Sequence, residues 1–361
     1  MSVSVSVSGS GSGKRILVAM SGGVDSSVAA AELVDAGHEV VGVTMRLWGG
    51  DSDTGCCSVS DVDDARRVAQ QLGIDHLVFN FSDDFDRHVV QPYVNAHAAG
   101  VTPNPCIECN RHLKFDRLLD RADLLGFDAI ATGHHARIVS APSGSLHVAR
   151  GADAAKDQSY VVHMLDRAAL ARTLFPVGQL TKAQVRSRAG ALGLRTATKP
   201  DSQDVCFITK RGRAEFLGAR IPLHTARVVD EGGQMVGEVP AVELVTVGQR
   251  RGVGPGGNDD RRYVTAVDVA SATVSVGPAE HLLDDRTVVE GFAWVAGPVK
   301  DGPVRVQTSA HGATSLAQVV PLDDGVVELV WAEPHRRVAP GQTAVAYDAD
   351  DRLVLAGGLA R

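Results

Sequence analysis

From Arg15 onward the apolar positions follow two different rhythms, and the change between them divides the chain. The run Ile16-Leu17-Val18-Ala19-Met20 is continuous and apolar, which predicts a strand covered on both faces of a parallel sheet. Val28, Ala29, Leu33 and Ala36 then recur at helical spacing until Gly37, and Glu39–Met45 reads as a second buried strand. The pattern repeats as a helix over Val62–Leu72 ending at Gly73, a strand over Asp75–Phe81, a helix over Lys114–Leu125 ending at Gly126 and a strand over Phe127–Thr132. Such alternation predicts an α/β fold with a doubly wound parallel sheet. Ligands of these sheets bind beyond the carboxyl ends of the strands, where Ser21–Ser26, Leu47–Cys57 and Gly133–His135 should converge.

After about Thr209 the apolar runs become short and are separated by Gly, Pro and Asp clusters, as in Val264–Val269, Val274–Val276, Val304–Thr308, Val326–Trp331 and Thr343–Tyr347. These predict antiparallel strands. The expected domains are therefore a nucleotide-binding domain over 14–209, a small central domain over 210–285 with a Gly-rich loop at Gly252–Asp260, and a C-terminal β-barrel over 286–361. Residues 1–13 alternate Ser with Val and then with Gly, and read as a disordered tail.

Composition narrows the function more than the fold. The 36 Lys and Arg against 43 Asp and Glu give a net charge of −7, which excludes coating nucleic acid by overall charge but leaves room for a local basic groove. No apolar run approaches the roughly 18–20 residues needed to cross a bilayer, and the start lacks a basic and apolar leader. A cytoplasmic protein without membrane contact is expected. Five cysteines, Cys56, Cys57, Cys106, Cys109 and Cys206, then point to thiol or metal chemistry and not to a disulfide framework.

Ser21-Gly22-Gly23-Val24-Asp25-Ser26 joins the first strand to the first helix. It offers backbone N–H groups and hydroxyls at a helix N-terminus, where dipole and unpaired donors favour an anion. The Gly-Lys-[Ser/Thr] of a Walker loop is absent, so the loop suits pyrophosphate and a reaction that splits ATP into AMP and pyrophosphate. Asp25 would repel phosphate unless a hard cation lay between them, which points to Mg²⁺. The structural alternative is a Gly-rich turn with Ser26 as N-cap.

Cys106 and Cys109 form a C-x-x-C before a helix, and Cys206 follows nearly a hundred residues later in Asp204-Val205-Cys206-Phe207. Arg111, His112 and Lys114 surround the first pair, and a helix N-terminus with basic neighbours favours a reactive thiolate. Zinc would need a fourth ligand such as His112. The three thiols Cys106, Cys109 and Cys206 also suit a [4Fe–4S] cluster with one open iron. Adjacent Cys56 and Cys57 receive no role. His134, following a strand, either faces the nucleotide or is a core histidine.

AMSGGVDSS, TPNPCIECN with KFD following, ATGHHAR, AKDQSYV, LFPVG, DSQDVCFI, VGQRRGVG, PGQTAVAYD and LAGG together resemble the bacterial tRNA-specific 2-thiouridylases, members of the PP-loop ATP pyrophosphatases. The resemblance runs from Lys14 to Arg361. It implies that ATP adenylates the C2 oxygen of wobble uridine 34 in tRNAs for Lys, Glu and Gln, after which sulfur displaces AMP. It further implies ATP contacts from Ala19, Met20, Ser21, Gly22, Gly23, Val24, Asp25, Ser26, Met45 and Gly133. Asn104, Pro105 and Cys106 would meet the target base, and His134, Lys156, Asp157, Gln158 and Gln342 would contact tRNA.

Cys206 would accept a persulfide from a cysteine desulfurase or relay protein, and Cys109 would release it through a transient Cys109–Cys206 disulfide. A monomer is implied. A basic groove could gather Arg150, Lys156, Arg250, Arg251, Arg261 and Arg262. Three departures stand out: Cys106 replaces an Asp of many relatives, Ser309-Ala310 replaces an Arg-Tyr pair, and Gly133-His134-His135 replaces GHY. Competing expectations are another PP-loop enzyme, such as an amidotransferase synthetase, a lysidine synthase or a 4-thiouridine enzyme, and a non-catalytic RNA-binding redox sensor.

Overall fold

The computed structural model of the chain describes residues 13–48, 59–201, 205–208, 212–253, 262–298 and 302–361. The Ser/Val/Gly tail apart from Gly13, Cys56 and Cys57, and most of the Gly252–Asp260 loop lie outside them. Strands β1 (Arg15–Ala19), β2 (Glu39–Arg46), β3 (Asp75–Asn80) and β4 (Ala129–Ala131) come first, followed by the hairpin β5 (Ala136–Ser140) and β6 (Leu146–Arg150) and by β7 (Thr173–Leu174). The order β3-β2-β1-β4-β7 makes one five-stranded sheet with every pair parallel.

Alternate residues of β1 serve opposite faces, as a strand's period of two requires. Ile16, Val18 and Met20 pack with Val24, Val28, Ala29 and Leu33 of helix α1 (Val24–Asp35) and with Ala65 and Val68 of helix α2 (Val59–Leu72). Leu17 and Ala19 pack on the other side with Ile107, Phe115, Leu118 and Ile130. The apolar continuity of β1 thus follows from cover on both faces. Strand order reverses between β1 and β4, so the loops after these two strands flank the switch point where ligands of doubly wound sheets bind.

The helix expected at Lys114–Leu125 begins earlier and changes pitch. A π-helical stretch over Cys109–Arg117 precedes the α-helix Leu118–Leu124, and its buried residues Cys109, Asn110, Leu113 and Phe115 do not follow one 3.6-residue stripe. A second such stretch, Asp86–Val90, joins the helices Ser82–Phe85 and Gln91–Ala98. π-bulges of this kind recur at functional sites, and the first one here starts at a candidate catalytic thiol.

The second half is β-rich. Strands β8 (Ala226–Val229), β9 (Met235–Val239), β10 (Tyr263–Asp268) and β11 (Thr273–Gly277) form a sheet ordered β10-β11-β8-β9. Strands β12 (Leu283–Trp294), β13 (Val304–Gln307), β14 (Ser315–Asp323), β15 (Val326–Arg336), β16 (Thr343–Tyr347) and β17 (Val354–Ala360) close a six-stranded antiparallel barrel around Val289, Phe292, Val306, Leu329 and Ala346. Among the described residues no helix is long and apolar enough to cross a membrane.

The barrel shares a core with the first domain. Val345, Tyr347 and Val354 lie in the same apolar cluster as Leu17, Ile130 and Tyr160. Arg150 seals the seam: its guanidinium lies 3.8 Å over the Tyr347 ring and pairs with Asp157 at 2.8 Å and Asp351 at 2.7 Å. This corrects the placement of Arg150 in an RNA-binding groove, because its guanidinium is engaged by Tyr347, Asp157, Asp351 and Gln307 between domains. Removing one partner from such a shielded network leaves opposite charges uncompensated. Arg150→Met should therefore lower the unfolding free energy by about 3 kcal/mol, measured by urea denaturation at pH 7; an unchanged midpoint would mean that the seam is held by apolar contact alone.

Candidate active site

At the end of β1 the chain turns at Gly22, whose φ of +70° favours glycine and whose added Cβ would lie 2.3 Å from the Asp61 carbonyl oxygen. Gly23 is the N-cap of α1 and no side chain caps that end. The first N–H groups of α1 therefore have no intrahelical partner, which is the arrangement an anion needs. Ser26 is inside the helix and not its N-cap: its hydroxyl accepts from Ser21 N at 3.2 Å and donates to Gly23 O at 3.2 Å. A Cβ on Gly133 would lie 2.5 Å from Ser26 N, so the loops after β1 and β4 touch. Ala19, Met20 and Val24 are buried, Ser21 is exposed, and Met45 is half-buried near the end of β2.

Asp25 projects from this helix start. Lys182 Nζ donates to both of its carboxylate oxygens at 2.8 and 2.7 Å. His135 Nε2 adds a contact at 3.0 Å. Burial alone would raise the Asp25 pKa, but the hydrogen bonds from His135 and Lys182 outweigh it and hold the carboxyl below its ordinary range. Lys182 opens the helix Lys182–Ala191, which is fixed by the Thr181–Gln184 capping box.

The same ammonium reaches Asp201 at 2.8 Å. Asp201 also receives Lys156 at 2.8 Å and Arg186 at 2.7 Å. Burial works against its charge, yet the hydrogen bonds from Lys156 and Lys182 pull its pKa from 3.8 to about 2. Two residues earlier, Lys199 donates to the Gly22 carbonyl at 3.0 Å and pairs with Asp61 at 2.7 Å and Asp64 at 2.8 Å. The segment that leads to Cys206 is thereby tied twice to the nucleotide loop.

Cys109 is 6% exposed and belongs to an apolar cluster with Leu47, Phe81, Phe85, Tyr93 and Phe207. Cys206, half-buried, packs against that same cluster. Phe207 places it: the ring is 1% exposed and lies 5.6 Å from Phe85, 5.4 Å from Tyr93 and 5.1 Å from Phe216. Two thiols far apart in sequence thus share one environment. Cys106 is exposed, and among the described residues no three His, Cys, Asp or Glu side chains are grouped to hold a metal ion.

The expected RNA contacts divide. Asn104 caps the helix Pro105–Glu108 by accepting Cys106 N at 3.1 Å, and Pro105 is buried. Asp157 accepts from Gly151 N at 2.7 Å and from the Ser159 hydroxyl at 2.7 Å, while Gln158 accepts His135 N at 2.9 Å. Gln158 thereby holds the loop that carries His135. His134 lies buried between Phe115 and Phe175 with Thr132 Oγ1 at 2.7 Å, and burial drives its pKa far down, so the ring is a neutral core group. Gln342 donates to the Thr102 carbonyl, and Thr102 N donates to Pro340 O at 3.1 Å, which clamps the barrel onto the chain just before Asn104. Arg250 and Arg251 are exposed, and Arg261 lies outside the described residues.

Sequence reasoning missed Lys182, Asp201, Lys199 and Phe207, and placed His135 at the ligand end of the sheet without giving it a role. Only Lys182 had a local signal, the Thr181-x-x-Gln184 spacing that places it at a helix start. The others act through partners far along the chain.

The tRNA methyl transferase HUP domain family matches residues 14–210, the tRNA methyl transferase PRC-barrel domain residues 214–278 and the Aminomethyltransferase beta-barrel domain residues 285–359. The tRNA-specific 2-thiouridylase MnmA of Chloroflexus aggregans is 47% identical over 351 residues, covering 95% of this chain and 97% of that protein. Its counterpart in Mycolicibacterium smegmatis is 47% identical over 346 residues, covering 93% and 96%. Among solved structures, the U34-tRNA thiolase NcsA from Methanococcus maripaludis with its [4Fe-4S] cluster is 16% identical and covers 58% of this chain and 66% of that chain at a TM-score of 0.36, an overlap too partial to inform the chemistry.

Asp201→Asn should cost about 1–3 kcal/mol at pH 7, because Lys156, Lys182 and Arg186 lose a shared acceptor. The folded pKa lies below the unfolded one, so the stabilisation is present above about pH 4 and is lost as pH falls toward about 2. The gap between wild type and variant, followed by urea unfolding, should narrow from pH 5 to pH 3; a constant gap would contradict the ion-pair account.

Proposed function

The chain belongs to the tRNA-specific 2-thiouridylase family, and from that premise we propose that it converts wobble uridine 34 of tRNAs for Lys, Glu and Gln to 2-thiouridine by adenylation and sulfur transfer. The carrying observation is that Cys109 and Cys206 share one apolar cluster while the segment leading to Cys206 is ion-paired to the pyrophosphate loop. A methyl transferase, the activity in the names of the domain families, has no use for that combination.

ATP enters as its magnesium salt, with its phosphates at the bare N-terminus of α1 and the Gly22–Gly23 turn. The uridine C2 oxygen attacks the α-phosphorus, an O–P bond forms, and pyrophosphate leaves. Unaided, that oxygen would be a poor leaving group; carrying AMP, it departs readily. Lys182, with its ammonium at the mouth of the anion slot, offsets the charge of Asp25 and of the departing pyrophosphate.

Cys206 takes the terminal sulfur of a donor persulfide, supplied by a cysteine desulfurase or relay protein. The Cys109 thiolate attacks the inner sulfur of the Cys206 persulfide, the Cys109–Cys206 bond forms, and hydrosulfide is released. Hydrosulfide attacks C2 and AMP leaves. Each cycle then needs two electrons from a thiol reductant to restore both cysteines.

Burial of Cys109 and partial burial of Cys206 keep the released sulfur from bulk water. Exposed Cys106 and buried Cys109 do not assemble with Cys206 into a ligand set, so no step is routed through an iron–sulfur cluster. The protein acts as a monomer, with the exposed Arg250 and Arg251 among its tRNA phosphate contacts.

Cys109→Ser and Cys206→Ser should each abolish 2-thiouridine formation, read by mass spectrometry of digested tRNA. Because adenylation precedes sulfur chemistry, both variants should still release pyrophosphate in a tRNA-dependent manner. A normal thiouridine yield would remove that thiol from the mechanism, and pyrophosphate release indifferent to tRNA would point to another substrate.

A further inference from the structure

The sulfur cycle ends on a disulfide set in a sheltered place. Cys109 is 6% exposed, and Cys206, half-buried, packs against the same cluster of Leu47, Phe81, Phe85, Tyr93 and Phe207. Exchange requires a thiolate to approach one sulfur of the bond, and access sets its rate. A small thiol can enter such a place, whereas a protein dithiol carries its sulfur on a broad surface.

Cys106 stands outside that shelter. It is exposed, and it opens a C-x-x-C whose second thiol is Cys109. The Cys109 backbone N–H donates to the Cys106 carbonyl, so the two residues lie one turn apart in a continuous helical run. Residues three apart on a helix hold their Cβ atoms roughly 5–6 Å apart, against about 3.5–4.5 Å in a disulfide, so a modest closing of this first turn joins them. An exposed thiol followed at this spacing by a buried one lets the first meet a partner while the second resolves the bond.

We infer that Cys106 is a relay thiol that carries the disulfide from the apolar cluster to the surface, where a protein dithiol reduces it. The Cys106 thiolate attacks the Cys109 sulfur of the Cys109–Cys206 disulfide. A Cys106–Cys109 bond forms, and Cys206 leaves as a thiolate, ready for the next persulfide. One thiolate of the dithiol then attacks the Cys106 sulfur and Cys109 leaves, after which the second thiol displaces Cys106 from the mixed disulfide. The dithiol is oxidised by two electrons, and all three cysteines are restored. Exposed disulfides are the more oxidising ones, so the exchange lies toward the sheltered Cys109–Cys206 bond and the surface form is drawn off as reductant consumes it. The inference rests on the assignment of Cys109 and Cys206 to sulfur transfer.

The test uses the full-length protein, oxidised with diamide, its disulfides mapped by peptide mass spectrometry, and then reduced by thioredoxin with thioredoxin reductase and NADPH. Both wild type and Cys106→Ser should carry mainly the Cys109–Cys206 bond after oxidation. Thioredoxin should reduce the variant at least about tenfold more slowly, while dithiothreitol reduces both proteins at similar rates. A thioredoxin whose second active-site cysteine is replaced by serine should be trapped on Cys106 of the wild type, a readout that does not depend on the variant. Equal thioredoxin rates, or a trap on Cys206 or any other cysteine, would mean that the reductant reaches the disulfide without a relay and would overturn the inference. A deficit shared equally by dithiothreitol would assign the effect to a disturbed cluster and overturn it too. Oxidation that joins Cys109 to Cys206 in neither protein would overturn the sulfur-transfer reading as well.

Discussion

A single ammonium shared by two carboxylates organises this protein. Asp25 stands at the loop proposed to bind polyphosphate, and an uncompensated carboxylate there would be costly to bury and hostile to substrate. Lys182 offsets that charge from the start of a capped helix, and in doing so also fixes Asp201 at the root of the segment that leads to Cys206. Activation of a base and delivery of sulfur to it are separate reactions on separate stretches of chain. The ion pairs give them one frame.

The other constraint is placement of the short helix Pro105–Glu108, at whose end Cys109 begins the π-helical turn. Thr102, just before it, bonds to Thr246 of the central domain at 3.0 Å and to Pro340 of the barrel at 3.1 Å. Asn110, just after Cys109, is fixed by a bond from its side chain to the Val161 carbonyl at 2.8 Å. All three domains therefore set the position of one thiol. A barrel that shares its core with the first domain can do this, whereas a barrel on a loose linker could not.

The sheet was legible because β1 and β2 are apolar on both faces, and the nucleotide loop because glycines and hydroxyls at a strand-to-helix turn serve few other purposes. That Cys109 and Cys206 would come to one cluster was expected only through family resemblance; spacing alone left zinc, cluster and thiol chemistry open. Lys199 and Asp201 were not visible, and of Lys182 only its place at a helix start was, since their partners lie up to 177 residues away and charged residues read locally as solvated surface. The same blindness put Arg150 in the wrong surroundings and left His134 open between a nucleotide contact and a core residue. Arg150 is locked beneath the barrel, and His134 lies in an aromatic pocket beside the His135 that reaches Asp25. Asp157 and Gln158 sit in a motif that suggests RNA contact, yet the Gln158 side chain braces the backbone of that histidine and Asp157 is held by Gly151, Ser159 and Arg150.

The joint use of one site by activation and sulfur transfer can be read in a single turnover. Enzyme loaded with persulfide at Cys206, mixed with ATP and substrate tRNA without reductant, should yield AMP, 2-thiouridine and a Cys109–Cys206 disulfide in equal amounts, quantified from one quenched sample. Thiouridine formed with AMP but without the disulfide would contradict the account.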